Sequence, residues 1–151
     1  MSYTITVEDE LVRRISLIPH VDLDENGKAI RNGNGRPVLS SALFKYSPKN
    51  SNDGISVDIM QILLSQFTTR ALALDHAVFN QTTRAGVAFF AAGIIIAGVP
   101  MGYNLPCDHD PIPGNYTHAL IKTNISKSRA RDLANACQIV EKSASGVLTT
   151  T

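Results

Sequence analysis

The chain has 151 residues, 44% apolar and 18% charged, with a formal net charge of +1. That length fits one domain able to bury a core, and the composition excludes a disordered chain. Near-neutral charge excludes bulk attraction to nucleic acid or acidic lipid, and 6% aromatics without tryptophan disfavour a base-stacking platform.

In chain order, the β-branched and polar alternation of residues 3–7 predicts a short strand, and residues 11–18 a second one. Residues 19–37 carry repeated Asn-Gly pairs. Asn26-Gly27, Asn32-Gly33 or Asn34-Gly35 could close a hairpin, but Lys28-Ala29-Ile30 is a poor strand, so an exposed loop is expected. A third strand is expected over 38–46. Residues 55–58 start a strand or lead directly into a helix, and apolar spacing predicts a helix over 59–74. The apolar block from Gly86 to Met101 is too short for a span and contains Gly93, Gly98 and Pro100, so it reads as buried core with a strand at 87–90. Residues 118–122 read as an interior strand. Ser126 is a good N-cap for a helix over 126–142, and residues 143–151 form a frayed tail. No internal repeat and no second domain is evident. The expectation is a single α+β domain with a mixed or antiparallel sheet of about five strands and two main helices.

Chemistry concentrates in residues 105–122, which hold two of the four histidines, Cys107, Asp108 and Asp110. Asp110-Pro111 is pushed to extended geometry and Pro113-Gly114 forms a turn that Asn115 can close, so His118 enters a core or pocket edge after a stiff loop. The Asp108-His109-Asp110 spacing matches no zinc signature. Asp22-Leu-Asp24-Glu-Asn26-Gly27 matches half of a calcium loop, but its twelfth position is Gly33, which offers no carboxylate. No metal and no cofactor is expected. A nucleophile–base pair would join Ser40, Ser41 or Cys107 to His118 or His20, with no Gly-x-Ser-x-Gly elbow to support it. Two cysteines and a start, Met1-Ser2-Tyr3-Thr4, unlike a signal peptide point to a reducing cytoplasm.

Four segments, Val12-Arg13-Arg14-Ile15, Pro37-x-x-Ser40-Ser41-Ala42-x-Phe44-Lys45, Asp53-Gly54-Ile55-Ser56-Val57-Asp58 and Asp110-Pro111-x-Pro113-x-Asn115-x-x-His118-Ala119-x-Ile121, resemble in order and spacing a group of small bacterial proteins with no assigned activity. The resemblance implies a bacterial or phage cytoplasmic protein serving as an accessory factor. An early arginine, a middle Ser-Ser-x-x-Phe segment and a late polar residue also resemble ADP-ribosyltransferase-like folds, which place Arg or His, then Ser, then Glu around NAD. Here the late glutamate is missing, because Glu141 falls in the expected C-terminal helix.

Two functions follow as expectations. In the leading one the protein is a non-catalytic accessory protein with a protein partner or self-association, and Arg14, Ser40, Ser56 and His118 hold a core polar network. In the alternative they converge on a pocket for a small nucleotide-like ligand, with Arg14 for phosphate and His118 as acid or base. The candidate catalytic residues are Arg14, Ser40 and His118; the candidate ligand-binding residues are Arg14, Ser41, Ser56, Asp108 and Asn115. A membrane partner is not expected, nor a nucleic acid.

Overall fold

In the first strand, β1 (Glu10–Ser16), apolar Leu11 and Ile15 alternate with Val12 and Arg14, so each face of the strand meets a different environment. A computed structural model describes residues 3–16, 20–45, 54–67, 69, 84–98, 104–111, 113, 116–122, 125–142 and 148–149. Its further strands are β2 (Ile55–Ile59), β3 (Arg84–Ala91), β4 (Cys107–His109), β5 (His118–Ile121), β6 (Gln138–Lys142) and β7 (Leu148–Thr149). They form one sheet in the order β4-β5-β2-β1-β3-β6-β7, with every pairing antiparallel. Helices α1 (Met60–Ser65), α2 (Gly93–Ile96) and α3 (Lys127–Ala136) complete an α+β domain.

One face of the sheet carries the main core. Leu11, Ile15, Ile55, Val57, Ile59, Ala88, Phe90, Ala119 and Ile121 pack there against Leu43 and Phe44 and against Ala130, Leu133 and Ala134 of α3. Phe44 meets Phe90 edge to face, ring centroids 5.7 Å apart. The opposite face has a smaller apolar cluster of Val12, Met60, Leu63, Val87, Phe89 and Val140. The rest of that face is polar, and the site lies there.

The segment expected as an open loop is an ordered module with a repeat of eight residues, 21–28, 29–36 and 37–44, that the sequence reading missed. Ile30 N–H donates to Asp22 C=O, Val38 N–H to Ile30 C=O and Asp22 N–H to Val38 C=O, so three copies close on one another in a ring. The bridges Leu23↔Ala29, Arg31↔Pro37 and Val21↔Leu39 follow the same cycle. Each copy turns on a side-chain oxygen at its fourth position. Asp24 Oδ1 accepts from Asn26 N–H, Asn32 Oδ1 from Asn34 N–H, and Ser40 Oγ from Ala42 N–H. In the first two copies Gly27 (φ 77°) and Gly35 (φ 76°) occupy the left-handed position that follows a type I turn. The third copy has Leu43 there instead and winds into a 3-10 turn, Ser41–Phe44, where a strand was expected.

Three further expectations are corrected. Residues 3–7 are not a strand; they run alongside the sheet, held by Tyr3 N–H on His109 Nδ1. The helix after β2 ends at Ser65, and the expected extension over 70–74 lies outside the described residues. The C-terminal helix stops at Ala136, because Cys137 turns extended and Ile139-Val140 alternate as a β-branched pair, Ile139 toward the main core and Val140 toward the smaller cluster. β6 therefore replaces the helix end, and Leu148–Thr149 pairs with it where a frayed tail was expected. No described helix is long and apolar enough to cross a membrane.

Candidate functional site

The site arises where two neighbouring strands part. β1 and β2 pair only at Leu11↔Ile59 and Val12↔Asp58, and beyond that point the ladder opens. Arg13 fills the gap: its Nε donates to Leu43 C=O at 2.8 Å and its Nη1 to Ser56 C=O at 2.7 Å. Nη1 thus gives the Ser56 carbonyl of β2 a donor, and Nε ties the same guanidinium to the 3-10 turn. A cavity of about 280 Å³ results, lined by Val12, Arg13, Arg14, His20, Ser56, Val57, Asp58 and His118.

Strand alternation places the side chains. Ser56 and Asp58 share a face of β2, and His118 lies opposite Asp58 across the β2–β5 pairing. Asp58 is buried and twice engaged: Arg14 Nη2 lies 3.1 Å from its Oδ2, and Thr117 Oγ1 donates to its Oδ1 at 2.8 Å. Arg14 Nε is a buried donor without a hydrogen-bond partner. Such a group is costly to leave unmatched, and here it belongs to a residue on the cavity wall.

His118 is fixed by both ring nitrogens. Nδ1 lies 2.8 Å from Asp110 C=O and 3.3 Å from Asp110 Oδ2, while Nε2 lies 3.0 Å from Ser56 Oγ. A carbonyl oxygen can only accept, so Nδ1 carries the proton and the lone pair of neutral His118 sits on Nε2, facing the Ser56 hydroxyl. Asp110 Oδ2 is buried and makes no hydrogen bond, so it remains as a counter-charge beside Nδ1. This arrangement can take a proton at Nε2 and stabilise the resulting imidazolium. A second histidine, His20, takes Ser16 N–H on its Nδ1 at 3.0 Å and closes another side of the cavity.

Of the candidates read from the sequence, Arg14, Ser56 and His118 come together on this cavity. Ser40 does not: its hydroxyl caps the third eight-residue turn, in the same role as Asp24 and Asn32. Ser41 lies in that 3-10 turn and is not on the cavity wall. Asp108 is exposed on β4, at a separate shallow depression with Ile5 and Leu105. Asn115 lies outside the described residues. Asp58, Thr117 and Arg13 were missed; the Ser56-x-Asp58 alternation on one strand face was the available signal. Cys107 and Cys137 are poorly suited as nucleophiles, since burial pushes both thiols up to about 12 and the Asp108 charge adds to the effect at Cys107. Asp24 and Asp22, the calcium-like pair, are engaged elsewhere, Asp24 by its turn and Asp22 by Arg131 Nη1 at 3.0 Å.

Comparison with known protein families, with curated proteins and with solved structures finds no match for this chain.

Proposed function

We propose that this protein binds a phosphate-bearing, nucleotide-like ligand in the Arg14–Ser56–His118 cavity and acts on it with His118 as acid or base. The observation that carries this reading is a cavity of about 280 Å³ whose wall holds Arg14 beside a fixed Ser–His pair. Arg13 and Arg14 both line the wall, and guanidinium groups suit an anion. The volume, about 280 Å³, lies near the lower end of small-molecule sites and has room for a phosphorylated sugar or mononucleotide portion. A purely structural polar network, the accessory-protein reading, calls for closed packing with every donor satisfied, and both the cavity and Arg14 Nε count against it. The ADP-ribosyltransferase-like arrangement called for Ser40, which caps a turn instead and is not on the cavity wall.

The test is thermal unfolding with AMP, ADP, NAD and inorganic pyrophosphate, on the wild type and Arg14→Lys. A ligand at about 100 times its Kd stabilises the fold by roughly 2.7 kcal/mol, a Tm rise on the order of 5 °C for a chain of this size. Lysine can keep the ion pair to Asp58 but lacks the guanidinium's fork of donors, so the shift should shrink in Arg14→Lys while the unliganded Tm stays near that of the wild type. A panel that moves neither protein contradicts the proposal.

A further inference from the structure

We infer that Ser56 is a nucleophile, and that the cavity hydrolyses or transfers an acyl group carried on a phosphate-bearing molecule. This rests on the ligand class proposed above and adds a reaction to it. Three features found together carry the inference. Ser56 Oγ lies 3.0 Å from His118 Nε2, whose lone pair is fixed toward it because Nδ1 is committed to Asp110 C=O. Asp110 Oδ2, buried and without a hydrogen bond, stands 3.3 Å from Nδ1, where it counters the charge of an imidazolium. Arg14, which a continued β1–β2 register sets across from Ser56, brings its guanidinium group to the same wall, a cation for a developing oxyanion. Arg13 and Arg14 both stand on that wall, so the phosphate part of the substrate has guanidinium groups beside the reacting carbonyl.

The step balances without any further reactant but water. Ser56 Oγ bonds to the carbonyl carbon as its proton moves to His118 Nε2. The carbon–leaving-group bond then breaks, and the phosphate-bearing leaving group departs with the Nε2 proton. Water repeats the sequence: its oxygen bonds to the acyl carbon, its proton passes through Nε2 to Ser56 Oγ, and the carboxylic acid is released. Serine sits here on a strand and not on a strand–helix elbow, which is why the sequence motif for such nucleophiles is absent.

A fluorophosphonate probe tests this directly, because a nucleophilic serine displaces its fluoride and stays covalently phosphonylated. Intact-mass and peptide mass spectrometry should find one adduct per chain, on Ser56. Ser56→Ala should remove it, Ser40→Ala should leave it, and His118→Gln should slow labelling at least 100-fold. If His118→Gln fails to fold, Asp110→Asn serves instead, with a slowing of 10-fold or more. A folded wild type that takes no label, or a label that survives Ser56→Ala, overturns the inference. The two readings fail separately. Nucleotide-induced stabilisation of Ser56→Ala with no labelling of the wild type keeps the binding site and removes the nucleophile. Labelling of Ser56 with no stabilisation by any phosphate compound keeps the nucleophile and removes the ligand class.

Discussion

Ser56 Oγ and His118 Nε2 lie 3.0 Å apart although 62 residues separate them in the chain. The β2–β5 pairing brings them together, and the early end of the β1–β2 ladder gives them open space. The same strand parting exposes Arg14 and recruits Arg13, so one irregularity in the sheet supplies the whole site.

Asp58 is the anchor of that arrangement, and its loss should be felt in stability first. Asp58→Asn removes the charge that Arg14 and Thr117 are set against, with a cost of about 2–3 kcal/mol, moderated because the Arg14 side chain is 34% exposed. Thr117→Val removes one buried hydrogen bond to a carboxylate, a cost of about 2 kcal/mol. Urea unfolding of both variants checks the pair. The double variant should cost less than the sum of the two, because both act on one network.

The thiols should be silent. At pH 8 Cys107 and Cys137 should react with a disulfide reagent at least 100-fold more slowly in the native protein than in denaturant, since burial holds both as thiols. Fast native reaction of either would contradict their placement.

The N-terminal segment has its own pH signature. Tyr3 O–H donates to Asp9 Oδ1 at 2.7 Å, and that bond, burial and the Asp9 charge push the phenol from 10.0 up to about 12. The folded state therefore favours the protonated phenol. The stabilisation is fully present below pH 10 and is lost as pH rises through about 12. Denaturant midpoints measured from pH 9 to 12 should fall in the wild type and fall less in Tyr3→Phe, which has no phenol to ionise.

In the main core, Phe44→Ala removes a fully buried ring that packs edge to face on Phe90, with an expected cost of about 3–5 kcal/mol. Because Phe44 ends the third eight-residue copy, this variant should also loosen the turn module, seen as faster amide exchange at Asp22, Ile30 and Val38.

Much of the fold was legible where periodicity was local. The α+β class, the strands at β1, β3 and β5 and the Ser126 cap all follow from alternation and capping chemistry. Errors came where two signals overlapped. Ala130, Leu133 and Ala134 set a helical spacing that Cys137 and Val140 prolong, and only sheet pairing with β3 reveals that the latter part is a strand. The repeat in 21–44 was hidden because its common feature is an oxygen acceptor presented by Asp24, Asn32 or Ser40, three residue types with one function. That substitution also explains why Ser40 looked chemical and Ser56 was only one candidate among several. The pocket itself was not legible, since it depends on where a ladder stops.

The most direct test of the central claim is the imidazole nitrogen spectrum of His118, recorded by NMR while ADP and then NAD are added. The free protein should show a protonated Nδ1 and an unprotonated Nε2. Ligand should shift the Nε2 resonance saturably, with the response weakened in Arg14→Lys and absent at His109, whose two nitrogens are held by Tyr3 N–H and Tyr116 C=O. A His118 spectrum unchanged by either nucleotide up to millimolar concentration, or one with the proton on Nε2, would contradict the account.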